Sequence, residues 1–268
     1  MRTRFGTKRR SALGVTVAAL VAIVAASAVP GAASAVPAGG DHGRSAHWGV
    51  ITRNTIGSPV AALRDGPFGS FGVPAQFAHP PYGHGSLGIE VADRSTSLSP
   101  PSEAVHFGNE VDFYGAPVLR LHQVGFHVFQ TGENVGYGGA NVNMPNIRFE
   151  INPNLGNSTA TYSSMVWNPP DVPVASRNRW SDYLDATTTG SWWLTGNAGT
   201  ATGCTLATQC TFPQLMTALN DGGAEPVIYT AGVSKGRDFM WIGAVDGLRI
   251  NGTVFDFESG GVRARYAR

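Results

Sequence analysis

The 268-residue sequence predicts an all-β domain, an antiparallel β-sandwich that carries one short helix. Three observations predict it. From Ser86 onward, short segments of alternating apolar and polar residues recur between Gly, Pro, Asn and Asp clusters, the rhythm of strands and turns. Glycine supplies 35 residues, well above the usual share, as a chain needs when it turns after every short strand and must tolerate positive φ there. Only one stretch reads as an amphipathic helix, whereas an α/β fold would need a crossover helix between successive parallel strands. No repeat of about 20 to 50 residues is visible, which disfavours propellers and solenoids.

Taken in order, a first strand is expected near Trp48–Thr52. It is followed by a segment in which Phe68, Phe71, Phe77 and Tyr82 punctuate turns at the domain edge. Further strands are expected at Ser86–Ala92, Val111–Tyr114, Val118–Gln130 with a break at Gly125, Ile147–Ile151 and Tyr162–Trp167. The series continues with Trp192–Thr195, Pro226–Val233, Phe239–Ile250 with a kink near Gly243, and Val254–Glu258. The helix spans about residues 211–221. Thr211 caps it, Pro213 lies in its first turn, Leu215, Met216 and Leu219 share a face, and Gly222 ends it.

Residues 1–35 read as a secretory signal peptide. Arg2, Arg4, Lys8, Arg9 and Arg10 precede an apolar run from Ala12 to Ala28, and Ala33, Ser34 and Ala35 form the small-residue cleavage site. The run is shorter than the roughly 20 residues of a membrane span and ends at Pro30 and Gly31, and no later stretch approaches that length. The remainder divides into a polar leader, 36–47, expected to be disordered, and a single sandwich domain, 48–268. The expected localisation is extracellular.

Removal of residues 1–35 takes 5 of the 19 basic residues and none of the 18 acidic ones, so the rest carries 14 against 18, a net charge of −4. Its sole lysine is Lys235. Without a basic stripe to neutralise phosphates, nucleic acid is excluded as an expected partner. In an oxidising compartment the two cysteines, Cys204 and Cys210, are expected to form a disulfide that shapes a local loop. A loop this short stabilises at the low end of roughly 2–4 kcal/mol.

Two alternating acid pairs stand out. Glu110 and Asp112, if extended, lie on one strand face about 7 Å apart, a spacing at which two carboxylates can flank a glycosidic bond. Asp256 and Glu258, opposite Phe255 and Phe257, could help to hold a structural calcium ion or pair with Arg249 and Arg263. Glu150 is a further acid with no partner that the sequence identifies. His122 and His127 could converge on zinc only if the strand bulges between them. No serine-nucleophile, zinc-protease or phosphate-loop motif occurs. The aromatic stock of the second half includes Trp180, Trp192 and Trp193; adjacent Trp192 and Trp193 must point to opposite faces of a strand. Trp180 and Trp193 are the candidates for stacking on a sugar ring.

The segment Phe239–Glu258, FMWIGAVDGLRINGTVFDFE, resembles the closing strands of jelly-roll and concanavalin-like modules, including many carbohydrate-binding modules. In these an aromatic-rich strand runs into a V-D-x-[LV]-R-[IV] motif, here within Ala244–Ile250, and pairs with the last strand. Segments such as WNPP, TGNAGTATGC and YTAGVSKGRD look like those of exported proteins from high-GC Gram-positive bacteria. The resemblance implies a jelly-roll-like sandwich and glycan recognition, and it carries over no catalytic residue. The function expected is therefore non-catalytic binding of a polysaccharide or cell-envelope glycan. The alternatives are a glycan-active hydrolase or lyase using Glu110 and Asp112, and a structural or adhesive protein without a small ligand.

Overall fold

The computed structural model describes residues 44–45, 47–67, 74–91, 103–132, 134, 144–170 and 177–267. The segment expected to be a signal peptide, 1–35, and most of the expected leader, 36–47, lie outside these residues. The described strands are β1 (Arg44–Ser45), β2 (Trp48–Val50), β3 (Val60–Asp65), β4 (Gly85–Val91), β5 (Val105–Asn109), β6 (Val124–Gln130) and β7 (Asn146–Asn152). They continue with β8 (Ser163–Asn168), β9 (Leu184–Asp185), β10 (Ser191–Leu194), β11 (Val227–Lys235), β12 (Trp241–Ile250), β13 (Thr253–Glu258) and β14 (Gly261–Tyr266). Among the described residues three α-helices interrupt them, α1 (Ala75–Ala78), α2 (Gly196–Thr202) and α3 (Phe212–Leu219).

The strands form two antiparallel sheets, so the chain is an all-β sandwich as its sequence predicts. The eight-stranded sheet runs β1-β14-β13-β12-β4-β3, with β6 and then β9 added beside β12. The six-stranded sheet runs β10-β8-β7-β11-β5-β2. Alternation decides what lies between them. In β7, Ile147, Phe149 and Ile151 are fully buried, and in β13, Phe255 and Phe257 turn inward while Asp256 and Glu258 turn out. The sheets meet through aromatic contacts, Phe126 edge-on to Trp167 at 5.4 Å and Trp48 against Phe255 at 5.0 Å and Phe257 at 5.8 Å.

The α3 helix starts as expected. Thr211 and Gln214 form a reciprocal capping box that satisfies two otherwise orphaned N–H groups. It ends at Asn220, two residues before Gly222, once Leu215 and Leu219 are buried. Phe212 packs on Trp192 at 5.6 Å, which in turn stacks on Phe149. The Cys204–Cys210 disulfide forms. Its loop lies along the edge strand β10: Trp192 and Cys210 exchange both backbone hydrogen bonds, and Leu194 N–H donates to Cys204. The loop thereby covers backbone groups that an open edge would expose to another chain.

Several expectations need correction. Residues 111–114 form a turn, because the Asn109 side chain accepts the N–H groups of Val111 and Asp112 at 2.9 Å each and curls the chain as β5 ends. Val118–Arg120 is a 3-10 turn, and Gly125 lies within the continuous strand β6. The irregularity of β12 falls between Asp246 and Arg249, where Gly247 has φ +62°, and Gly243 is regular. Strands β1, β3, β5, β9 and β14 and helices α1 and α2 are additional to the expected set.

Candidate functional site

The polar outer face of the six-stranded sheet carries an open cleft of about 350 Å³, lined by Arg53, Glu110, Tyr114, Glu150, Tyr162, Tyr229 and Thr230. This lies at the small end of the range that ligand sites occupy, roughly 300–1,000 Å³. Its floor follows from strand register. Ser164, Glu150 and Thr230 form one cross-strand row over β8, β7 and β11. Arg148, Gly232 and Gly108 form the next, and Asn146, Ser234 and His106 the one after. The His106 ring lies over the two glycines, its Nε2 only 3.1 and 2.9 Å from where a Cβ on Gly108 or Gly232 would stand. Side chains there would displace it.

Arg53 and Asn54 enter from the 3-10 turn Thr52–Asn54 that follows β2. Buried Ile51, whose N–H donates to the His106 carbonyl at 2.8 Å, anchors that turn. Glu150 is the hub. Its Oε1 accepts from Asn54 Nδ2 and the Tyr162 hydroxyl, both at 2.5 Å, and from Arg148 at 3.4 Å. Its Oε2 pairs with Arg53 and accepts from the Thr230 hydroxyl at 3.2 Å. Burial alone would raise the pKa of this carboxyl; the Tyr162, Asn54 and Arg53 donors outweigh it and bring the pKa down to about 2. Glu150 is therefore ionised and saturated with donors, an organiser of its neighbours.

The network also determines the state of His106. Arg148 can only donate and ionised Glu150 can only accept, so the Asn54 amide must present its oxygen to Arg148 and its nitrogen to Glu150. The same nitrogen faces His106 Nδ1 at 3.2 Å, which makes Nδ1 an acceptor and places the proton on Nε2. Burial first, and the Arg148 charge second, push His106 down to about 3, in agreement with this neutral tautomer.

At the mouth, Arg53 also pairs with half-exposed Glu110. Tyr114, 69% exposed, stacks on Tyr229 at 5.7 Å with an interplanar angle of 24°, and Tyr162 is 48% exposed. The site thus joins aromatic faces to a fixed array of donors and acceptors.

The structure brings Glu110 into this site and leaves Asp112 out. Asp112 accepts from Asn109 and pairs with His47 Nδ1 at 2.6 Å. The second carboxylate is Glu150. Neither candidate tryptophan lines the cleft: Trp180 packs on Phe129 at 5.7 Å and donates its Nε1–H to the Ala78 carbonyl, and Trp193 is half-buried on β10. The exposed stacking surfaces are tyrosines instead. His122 faces the Arg120 carbonyl and His127 the Ser181 carbonyl, so they do not converge.

Asp256 and Glu258 lie on the outer face of the other sheet, both buried. Asp256 is paired with Arg265, and Glu258 accepts the His84 N–H at 3.2 Å. Asp246 stands beside them and accepts the N–H groups of Tyr82 and Phe257 at 3.0 and 3.1 Å. Among the described residues no group of three or more His, Cys, Asp or Glu side chains is arranged to hold a metal ion. Instead these acids hold the Tyr82–His84 strap. Gly83 has φ +56°, and a Cβ there would stand 1.6 Å from the Glu258 carboxylate. Gly83→Ala is expected to cost at least about 1–2 kcal/mol from the left-handed backbone alone, measurable by urea denaturation.

Sequence reading missed Arg53, Arg148, Tyr114, Tyr229 and Thr230. The one usable signal was Asn146–Asn152, where Asn, Arg, Glu and Asn alternate with core residues and so mark a polar face. No protein-family model, curated protein or solved structure matches the chain. Among the described residues no helix is long and apolar enough to cross a membrane.

Proposed function

We propose that this chain is an exported sandwich that binds a saccharide, without turnover, in the cleft between Tyr114, Tyr162 and Arg53. The observation that carries this reading is the combination of exposed tyrosine faces with a prearranged set of donors and acceptors. A sugar ring offers apolar C–H faces to the one and hydroxyls to the other. Tyr229 props Tyr114 from behind and leaves its other face free. The buried Glu150 network immobilises Arg53 and Tyr162 before any ligand arrives, which lowers the ordering cost of binding.

Hydrolysis by two carboxylates needs one of them as a proton donor. Glu150, with its pKa held near 2, is ionised across the physiological range and cannot be that donor, and Glu110, the other candidate, is ion-paired with Arg53. The test is calorimetric titration with a panel of soluble polysaccharides. Tyr114→Ala is expected to weaken binding about ten-fold, the loss of one aromatic contact, with unfolding little changed because the ring is exposed. Reducing-sugar release by wild type, abolished in Glu110→Gln, would replace this reading with the hydrolytic one, and absence of any binding would remove it.

A further inference from the structure

We propose that the cleft selects uncharged saccharides over uronate-bearing or sulfated ones, an inference that rests on the binding reading above. It comes from how the charges are paired. The cations in and behind the cleft are already matched. Arg53 is shared between Glu110 and Glu150, and Arg148 lies behind Asn54 against Glu150 and the Ser164 hydroxyl. His106 is buried, with its Nδ1 committed to accepting from Asn54. The lining itself holds one cation, Arg53, against two carboxylates, Glu110 and Glu150, and Arg148 behind it brings the whole cluster to zero.

The carboxylate of Glu110 is half-exposed at the mouth, with Asp112 in the turn beside it. An anionic ring approaching Arg53 meets Glu110 first and could take the guanidinium only by displacing it. That exchange leaves Glu110 unpaired next to a second negative charge. A hydroxyl faces no such conflict. It can donate to Glu110 while it accepts from a guanidinium that carries five N–H donors, and neither existing ion pair breaks. Desolvating a neutral ring also costs far less than desolvating a carboxylate. The same charge balance makes long-range steering of a polyanion weak.

The experiment compares a polyuronate with the same polymer after carboxyl reduction, together with neutral glucan, mannan and xylan, by calorimetric titration of the full-length exported protein. Wild type is expected to bind at least one neutral polymer at least ten-fold more tightly than the polyuronate. That affinity should be unchanged between about 0.05 and 0.5 M salt, because no net ion pair forms. Glu110→Gln, which removes the negative charge at the mouth and frees one side of Arg53, is expected to raise polyuronate affinity about ten-fold and to make it salt-sensitive. Tighter binding of the polyuronate than of its reduced form by wild type would overturn the selectivity while leaving the binding reading intact. No binding of any polymer would overturn both. The wild-type comparison decides the matter even if the variant folds poorly.

Discussion

Glu150→Leu is expected to lower the unfolding free energy by about 3 kcal/mol at pH 7, the low end of what breaking a buried ion pair costs. The leucine would leave Arg148, Asn54 and the Tyr162 hydroxyl facing an apolar group in a region the sheet shields from water. Arg53 is half-exposed and can rehydrate through the cleft, which is why the low end applies. A companion variant separates charge from packing: Arg148→Met combined with Glu150→Leu also removes the cation that the single variant leaves unpaired and should recover part of the loss. Urea denaturation of the single and double variants measures both. A single-variant loss below about 1 kcal/mol would mean that water reaches the network and that Glu150 does not organise the site. The same group gives the wild type an acid limit. Its folded pKa lies below the ordinary carboxylate value, so its contribution is present above pH 4.5 and is lost as pH falls toward 2.

Asp246 should impose a pH dependence of the opposite sign. Burial pushes its pKa up to about 8; the Phe257 N–H opposes the rise and neighbouring Asp256 adds to it. The folded state therefore holds a proton that the unfolded state has released. Stability is greatest below the ordinary carboxylate pKa and declines as pH rises toward 8, by up to the order of 5 kcal/mol across that range. Asp256, also raised, first by burial and then by Glu258 against the pull of Arg265, acts in the same direction. His127, which packs on Tyr82, is lowered by burial and works in the opposite sense, but only below its ordinary pKa of 6.5. Between pH 6.5 and 8, then, a decline of about 2 kcal/mol should be visible. Asp246→Asn removes the titrating group and should flatten that part of the profile. Parallel profiles for the variant and the wild type would show that the strap contacts of Tyr82 and Phe257 hold Asp246 ionised throughout.

What the sequence determined by itself is local. Alternation in Asn146–Asn152 and Thr253–Glu258, the capping chemistry at Thr211, the opposed Trp192 and Trp193, and the turn-rich composition all act within a few residues, so the strands, α3 and the sandwich class were legible. A six-residue spacing of two cysteines made the disulfide legible too. Only the tertiary structure decided which face of which sheet became a site. Arg53 meets Glu150 across 97 positions and Thr230 across 177, contacts that exist because β2, β5, β11 and β7 lie side by side in one particular register. A shift of one residue in β7 would send Glu150 into the core. Local pattern also misled at Glu110 and Asp112, where the Asn109 side chain captures the next backbone N–H groups and turns the two acids apart. Alternation indicates that a residue leaves the core. Which neighbours it then meets depends on pairings between distant strands, and those are set by the packing of the whole sandwich.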